Sequence, residues 1–118
     1  MPYKNPAQRL QDILDSIEAI DEFITGMGFE DFVLSRRTRY AVTRAFEIIS
    51  EAFRRLPDEL RARHSGLDWP AIAAAGNVYR HEYETVDDAL IWHTLKHNLD
   101  RLEAAVRIEL DRLGDLSV

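Results

Sequence analysis

The chain has 118 residues, a formal net charge of −6 and no cysteine. This length predicts one domain, residues 1–118, and the missing cysteines exclude thiol nucleophiles and thiolate metal sites and favour a reducing compartment. No apolar stretch approaches the roughly 20 residues needed to cross a bilayer, and the N-terminus lacks the basic-then-apolar run of a signal peptide, so we expect a cytoplasmic protein.

The first predicted element is an amphipathic helix from about Pro6 to Thr25. Proline is tolerated in a first helical turn, and Gly26 and Gly28 end the helix. Its apolar residues recur at helical spacing, with acidic residues away from them. This stripe is Leu10, Ile13, Leu14, Ile17, Ile20 and Ile24. A short turn or one-turn helix is then expected at Phe29–Leu34.

A second helix is predicted over about Arg36–Leu56, with Ser35 as its N-cap and Pro57 ending it. A further turn or two is expected between Asp58 and His64. The apolar stripe of the second helix is Val42, Ala45, Phe46, Ile49, Ala52, Phe53 and Leu56.

The basic charge of the chain is concentrated in residues 36–63, which carry eight arginines against four acidic residues, while each flank has a net charge of −5. The overall negative charge argues against indiscriminate nucleic-acid binding. The basic segment therefore has two open interpretations: a solvated helix face that pairs with acidic neighbours, or a phosphate-facing surface. Complementary charge between segments could also direct how two subunits dock. The candidate RNA-binding residues are Arg36, Arg37, Arg39 and Arg44.

Two more helices complete the predicted bundle. One begins with Asp68 as N-cap and Pro70 in its first turn, and either bends at Gly76 or continues to about Tyr83. The last begins at the N-cap Thr85 and runs about 40 Å as one helix, closed by glycine 114. Its apolar seam is Leu90, Ile91, Leu95, Leu99, Leu102, Val106, Leu110 and Leu113. An all-α, up-and-down bundle of four to five helices follows.

Histidines on the last helix raise the question of a metal. His93 and His97 are four residues apart, so both imidazoles project from one face, with Asp100 nearby. The pair is either a metal half-site or, as we favour, a hydrogen-bonded pair. His64 lies in a polar loop and points to no chemistry. We therefore assign neither a metal nor a cofactor.

The richest chemistry lies between Asn77 and Tyr83. On a helix Asn77 and His81 share a face, so the amide oxygen can fix the histidine tautomer. Arg80 beside His81 is suited to phosphodiester chemistry: the imidazole exchanges the proton of a ribose 2′-hydroxyl, and the guanidinium meets the charge that develops on phosphate. The alternative is a buried polar network that attaches this helix to its neighbours.

These residues, with sequence on either side, resemble the HepT-like branch of the HEPN superfamily. The similarity spans nearly the whole chain and includes the second helix and the family's Arg-x4-His-x-Tyr motif. The matching segments are Trp69–Ile72, Gly76–Tyr83, Val86–Asp87, Ile91–Trp92 and Ala41–Ala52. The resemblance implies an all-α homodimer that acts as a metal-independent ribonuclease toxin of a type VII toxin–antitoxin pair. It also implies an MNT-type nucleotidyltransferase antitoxin, which silences the toxin by adenylylating the tyrosine of the motif.

Carried over residue by residue, the resemblance makes His81 the general acid/base and Tyr83 the residue modified by AMP. Asn77 matches the polar residue that follows the motif arginine. Gly76 occupies the position of that arginine, and Arg80, one helical turn away, is expected to stand in for it. With His81 and Arg80 the chain would be an endoribonuclease. With a degenerate site it would instead be a non-catalytic interaction and nucleotide-binding module that the nucleotidyltransferase modifies.

Overall fold

A computed structural model describes residues 6–68, 70, 72 and 88–117, without the side chains of residues 115–117. Every regular element in this part of the chain is a helix, which confirms the prediction of an all-α fold. The helices are α1 (Ala7–Phe23), α2 (Phe29–Leu34), α3 (Arg36–Arg54), α4 (Asp58–Ala62), α5 (Asp88–His97) and α6 (Leu99–Ser117).

The core forms where α1 packs against α3 on one side and against α6 on the other. The apolar stripes predicted for these helices face one another there and exclude water, which supplies most of the stabilisation. Phe46 and Ile13, for example, are completely buried. The predicted stripe residues of α3 are all buried, and those of α1 are buried except for the partly exposed Ile24.

A single residue joins α2 to α3. Ser35 follows the last residue of α2, and its backbone N–H donates to the carbonyl of Phe32 at 3.2 Å. Its side-chain oxygen accepts a hydrogen bond from the backbone N–H of Thr38 at 3.1 Å, which confirms Ser35 as the N-cap of α3. The chain therefore turns the corner between these helices without a loop.

The prediction of one long last helix closed by Gly114 is wrong in two respects. The helix is interrupted at Asn98, and its C-terminal part continues through Gly114 to Ser117. The break is local, because the backbone N–H of Asn98 still donates to the carbonyl of Thr94 at 2.9 Å and that of Leu102 to the carbonyl of Asn98 at 3.1 Å. Among the described residues, the only glycine with positive φ is Gly26, at 77° after α1; Gly114 therefore lacks the left-handed geometry of a helix stop.

Of the predicted third helix, only residues 68, 70 and 72 are described. There the backbone N–H of Ile72 donates to the carbonyl of Asp68 at 3.2 Å, as expected for a helix that starts at Asp68. The predicted bend at Gly76 and the predicted N-cap Thr85 lie outside the described residues. Within the described part of the chain, no helix is long and apolar enough to span a lipid bilayer.

Candidate functional site

The residues predicted to carry the chemistry, Asn77, Arg80, His81 and Tyr83, lie outside the described residues. The structure does describe the two points where this part of the sequence joins the rest of the bundle, Ile72 and Asp88. The surroundings of these two points can be compared with the sequence predictions. We refer to residues 73–87 as the motif segment.

The two described residues that flank the motif segment, Ile72 and Asp88, both contact α3. At the first end Ile72 is completely buried, and its carbonyl accepts a hydrogen bond from the hydroxyl of Ser50 at 3.4 Å. At the second end Asp88 Oδ2 lies 3.9 Å from Nη1 of Arg39. Residues 39 and 50 are about 16 Å apart along the axis of α3, at 1.5 Å per residue. One helix thus contacts the chain on both sides of the motif segment.

Aromatic packing holds α5, the helix that follows the motif segment, against α2. The ring of Trp92 lies 5.2 Å from that of Phe32, which is completely buried, and 6.1 Å from that of Phe29. Lys96 places its ammonium group 5.1 Å from the indole, so a cation–π contact covers the cluster. The start of α5 is therefore positioned by α2 through ring contacts and by α3 through an ion pair.

The four arginines predicted to bind RNA occupy different environments. Arg36 and Arg37 are exposed at the start of α3. The side chain of Arg44 is 70% exposed and forms an ion pair with Glu47 at 3.3 Å. Arg39 is only 27% exposed and forms the ion pair with Asp88. Three of the four predicted residues are thus accessible to a phosphate, and the fourth faces the bundle.

Most other arginines of segment 36–63 pair with acidic side chains, in line with the solvated-face interpretation. Arg54 and Arg55 both contact Glu51 at 2.8 Å, and Arg61 pairs with Asp58. Pairs of this kind, exposed and three or four residues apart, contribute little to stability. The exposed arginines Arg36, Arg37 and Arg44 lie in the N-terminal half of α3, while Arg54 and Arg55, also exposed, lie at its C-terminal end and share Glu51.

His93 and His97 lie on the same face of α5, as predicted, with ring centroids 4.3 Å apart. Both side chains are exposed. No group of three or more histidine, aspartate or glutamate side chains in the described residues is arranged to hold a metal ion. The two imidazoles form a tilted pair on the surface, with 39° between their ring planes.

The structure contains a buried charge cluster that the sequence analysis missed. Glu109 is almost completely buried, and Arg63 donates to both of its carboxylate oxygens, at 2.6 and 3.2 Å. The His64 Nε2 lies 2.6 Å from Oε2, and Arg112 Nε lies 3.5 Å from Oε1. We call these four residues the Glu109 cluster.

The hydrogen bonds from Arg63 lower the pKa of Glu109, those from His64 lower it further, and burial opposes both. The cluster fastens the chain after α4 to the middle of α6. His64 is therefore part of a structural network rather than of an uninformative loop. One sequence signal pointed to it: Glu109 lies three residues after Val106, in register with the apolar seam of the last helix.

A protein-family model described as "Ribonuclease HepT-like" matches residues 13–108 of the chain. The chain belongs to the ribonuclease HepT-like family. The resemblance to this branch of the HEPN superfamily, based on the segments around Gly76–Tyr83 and Ala41–Ala52, is thereby confirmed.

Individual relatives agree with this family assignment. A protein of Thermococcus cleftensis named "Probable ribonuclease HepT" is 36% identical over 94 residues, which cover 80% of this HepT-like chain and 86% of the relative. A provisionally named RNase of Caldanaerobacter subterraneus is 38% identical over 104 residues, covering 88% of this chain and 93% of the relative. A provisionally named RNase of Methanocaldococcus jannaschii is 31% identical over 99 residues, covering 84% and 91%. A comparison with solved structures finds no significant match.

Proposed function

We propose that this HepT-like chain is an endoribonuclease that cleaves RNA without a metal ion and acts as the toxin of a toxin–antitoxin pair. The observation that carries the proposal is the family match, because it covers residues 13–108 and so includes the sequence from Asn77 to Tyr83. The names of the relatives point to the same activity. The motif contains the groups that phosphodiester cleavage requires: an imidazole, a guanidinium and an amide.

In the proposed reaction His81 removes the proton from a ribose 2′-hydroxyl. The 2′-oxygen then attacks the adjacent phosphorus, a P–O2′ bond forms, and the bond to the 5′-oxygen of the next nucleotide breaks. The leaving 5′-oxygen takes a proton from a second imidazole, supplied by His81 of a second copy of the chain. Arg80 stabilises the negative charge on the phosphate oxygens, and Asn77 fixes the tautomer of His81. The products are a 2′,3′-cyclic phosphate and a free 5′-hydroxyl.

The exposed arginines of α3 are suited to hold the RNA strand. Arg36, Arg37 and Arg44 lie on the helix to which both ends of the motif segment are attached. Arginine binds phosphate oxygens through paired N–H groups, and contacts of this kind orient a strand without reading its sequence. We therefore propose that RNA lies along the N-terminal half of α3 during cleavage.

The proposal includes two protein partners. The chain is expected to form a homodimer, which would bring two His81 side chains to one cleft. Leu34, 84% exposed at the end of α2, is an apolar side chain that a partner could cover. The second partner is an MNT-type nucleotidyltransferase, which would silence the toxin by transferring AMP to Tyr83, since a bulky anion beside His81 would repel the RNA phosphate.

The test is cleavage of RNA by the purified protein in the presence of a chelator. We expect wild type to cleave and to leave 2′,3′-cyclic phosphate ends. His81→Ala and Arg80→Ala should each lower the rate by about 10²–10³-fold, which is typical for loss of a general acid/base or a transition-state cation. The matched control is His93→Ala, which removes an exposed histidine outside the motif and should leave the rate unchanged. No cleavage by wild type, or full cleavage by both variants, contradicts the proposal.

Gly76 favours a second candidate function. A glycine in the place of the motif arginine has no side chain to bind phosphate, so the domain could be a non-catalytic module that the nucleotidyltransferase modifies. This function predicts no RNA cleavage, a stable complex with that enzyme, and addition of AMP to Tyr83 on incubation with ATP. Mass spectrometry of the intact protein decides it: an unchanged mass, compared with a Tyr83→Phe control, counts against modification.

A further inference from the structure

The ion pair between Arg39 and Asp88 joins α3 to the point where the motif segment ends. Its two side chains are 27% and 18% exposed, and its nearest nitrogen and oxygen atoms are 3.9 Å apart. The Nε atom of Arg39 is buried from solvent. Part of this guanidinium is thus withdrawn from water and directed at a carboxylate inside the bundle.

Arg39 differs in this respect from its neighbours on the same helix. Arg36 and Arg37 are exposed, and the Arg44 side chain is 70% exposed although it contacts Glu47. A phosphate must reach the N–H groups of an arginine to be bound. Three of these arginines offer such access, whereas the Arg39 side chain is only 27% exposed, with its Nε buried and its Nη1 facing Asp88.

The carboxylate that Arg39 contacts has a particular place in the sequence. Asp88 is the first residue of α5, and it follows Tyr83 by five residues and His81 by seven. After Asp88 the chain is fixed by the complete burial of Ile91 and by the contacts of Trp92 with α2. Asp88 is therefore the described residue closest in sequence to the C-terminal end of the proposed catalytic motif, and Arg39 attaches it to α3.

From this arrangement we infer that Arg39 is a positioning residue of the ribonuclease site rather than a ligand of RNA. Acting through Asp88, it fixes where the motif segment joins α5 and so aligns His81 and Arg80 with the scissile phosphate. The inference rests on the proposed ribonuclease function. Loss of alignment slows the chemical step, because a displacement of about 1 Å at a reacting group can lower a rate by about 10²-fold. Loss of a phosphate contact instead weakens binding of the substrate.

The experiment measures kcat and KM for cleavage of a short fluorescent RNA by wild type, Arg39→Gln, Asp88→Asn and the double variant. We expect each single substitution to lower kcat by about 10–100-fold with little change in KM. The double variant should lose less than the two single variants added together, since both remove the contact between Arg39 and Asp88. Melting curves for each protein establish that it is folded at the assay temperature.

The kinetic constants of Asp88→Asn distinguish a positioning role of Arg39 from an RNA-binding role. If Arg39 positions the motif, loss of the carboxylate lowers kcat. If Arg39 binds RNA, loss of the carboxylate frees a cation, and KM falls at unchanged kcat. The matched control is Arg107→Gln, which breaks another ion pair between helices, the 3.7 Å contact of Arg107 with Glu18. This control should leave kcat and KM as in wild type.

Arg39→Lys keeps the test decisive if Arg39→Gln does not fold. It retains a cation opposite Asp88 and should recover most of the wild-type kcat. Three outcomes overturn the inference but leave the proposed function standing. They are a folded Arg39→Lys as slow as the folded Arg39→Gln, a KM effect of Arg39→Gln at unchanged kcat, and a lowered KM for Asp88→Asn. No cleavage by wild type removes the proposed function, and the positioning role with it.

Discussion

Two groups of ionised side chains join different helices of the bundle, and their carboxylates are satisfied to different degrees. Between α3 and α5, Asp88 lies 3.9 Å from Arg39. Between the chain after α4 and α6, Glu109 receives two hydrogen bonds from Arg63, a contact of 2.6 Å from His64, and the nearby charge of Arg112. A buried carboxylate with this many donors serves stability, because leaving it unpaired is costly. The looser pair stands where the proposed site is attached.

The difference suggests a division of roles between the two groups. The Glu109 cluster stabilises the fold, and in our proposal the pair of Arg39 with Asp88 positions the motif segment. Regions that bind and release ligands are commonly the less stable parts of a protein. Substitutions in the Glu109 cluster should therefore change the free energy of unfolding, and those at Arg39 and Asp88 should change kinetic constants.

The largest expected effect is that of Glu109→Gln. The substitution removes the negative charge shared by Arg63, His64 and Arg112, and we expect the free energy of unfolding to fall by about 2–4 kcal/mol. Urea denaturation measures it. The control is Asp111→Asn on an exposed position of the same helix, expected within about 0.5 kcal/mol of wild type. A loss below about 1 kcal/mol for Glu109→Gln would abolish the contrast between the two groups.

The same cluster predicts a dependence of stability on pH. The folded-state pKa of Glu109 is lowered from its ordinary value of 4.5, chiefly by the hydrogen bonds from Arg63. The stabilisation is therefore fully present above about pH 4.5 and is lost as the pH falls through the folded-state pKa. Melting temperatures of wild type and Glu109→Gln should converge as the pH is lowered from 6 to about 3. A constant difference over this range would mean that the carboxylate does not titrate with unfolding.

A smaller effect on stability is expected for the hydrogen bond between Ser50 and Ile72, the residue before the motif segment. Ser50→Ala removes the 3.4 Å hydrogen bond to the carbonyl of Ile72, and we expect a loss of about 0.5–1 kcal/mol and a lower kcat. Ser16→Ala is the matched control, because it alters a buried serine of α1. If both variants show the same kcat as wild type, the attachment of Ile72 to α3 does not contribute to the site.

The smallest effect on stability is expected for Arg44→Gln. The exposed pair with Glu47 contributes under about 0.5 kcal/mol, so the melting temperature should hardly change. RNA binding should weaken, and the slope of log K against log salt should fall by about 0.7, the value for one phosphate on a single strand. Fluorescence anisotropy at several salt concentrations measures this slope. An unchanged slope would place the RNA elsewhere than on α3.

The sequence predicted the helices well where one physical pattern dominates. The spacing of Val42, Phe46 and Ile49 identifies the buried face of α3, and Ser35 was recognised as its N-cap because few residue types can accept that hydrogen bond. The interruption at Asn98 was missed because the apolar spacing continues through it: Leu95, Leu99 and Leu102 are all buried.

The charged residues were harder to predict, because their partners are distant in sequence. His64 and Glu109 are 45 residues apart, and no local pattern connects them. Arg39 was grouped with the other arginines by its charge alone. Its helical phase carried more information: it lies three residues before the buried Val42, and therefore near the face that meets the core.

The single-residue link at Ser35 has a mechanical consequence. Because only one residue separates α2 from α3, a displacement of α2 should also move the first turn of α3. Arg36 and Arg37 project from that turn. Phe32 of α2 also contacts the indole of Trp92 in α5. A protein that bound the exposed Leu34 could therefore displace the basic side chains and the start of α5 together. The link at Ser35 then couples the movements of α2 and α3, and inserting two glycines after Ser35 would uncouple the two helices.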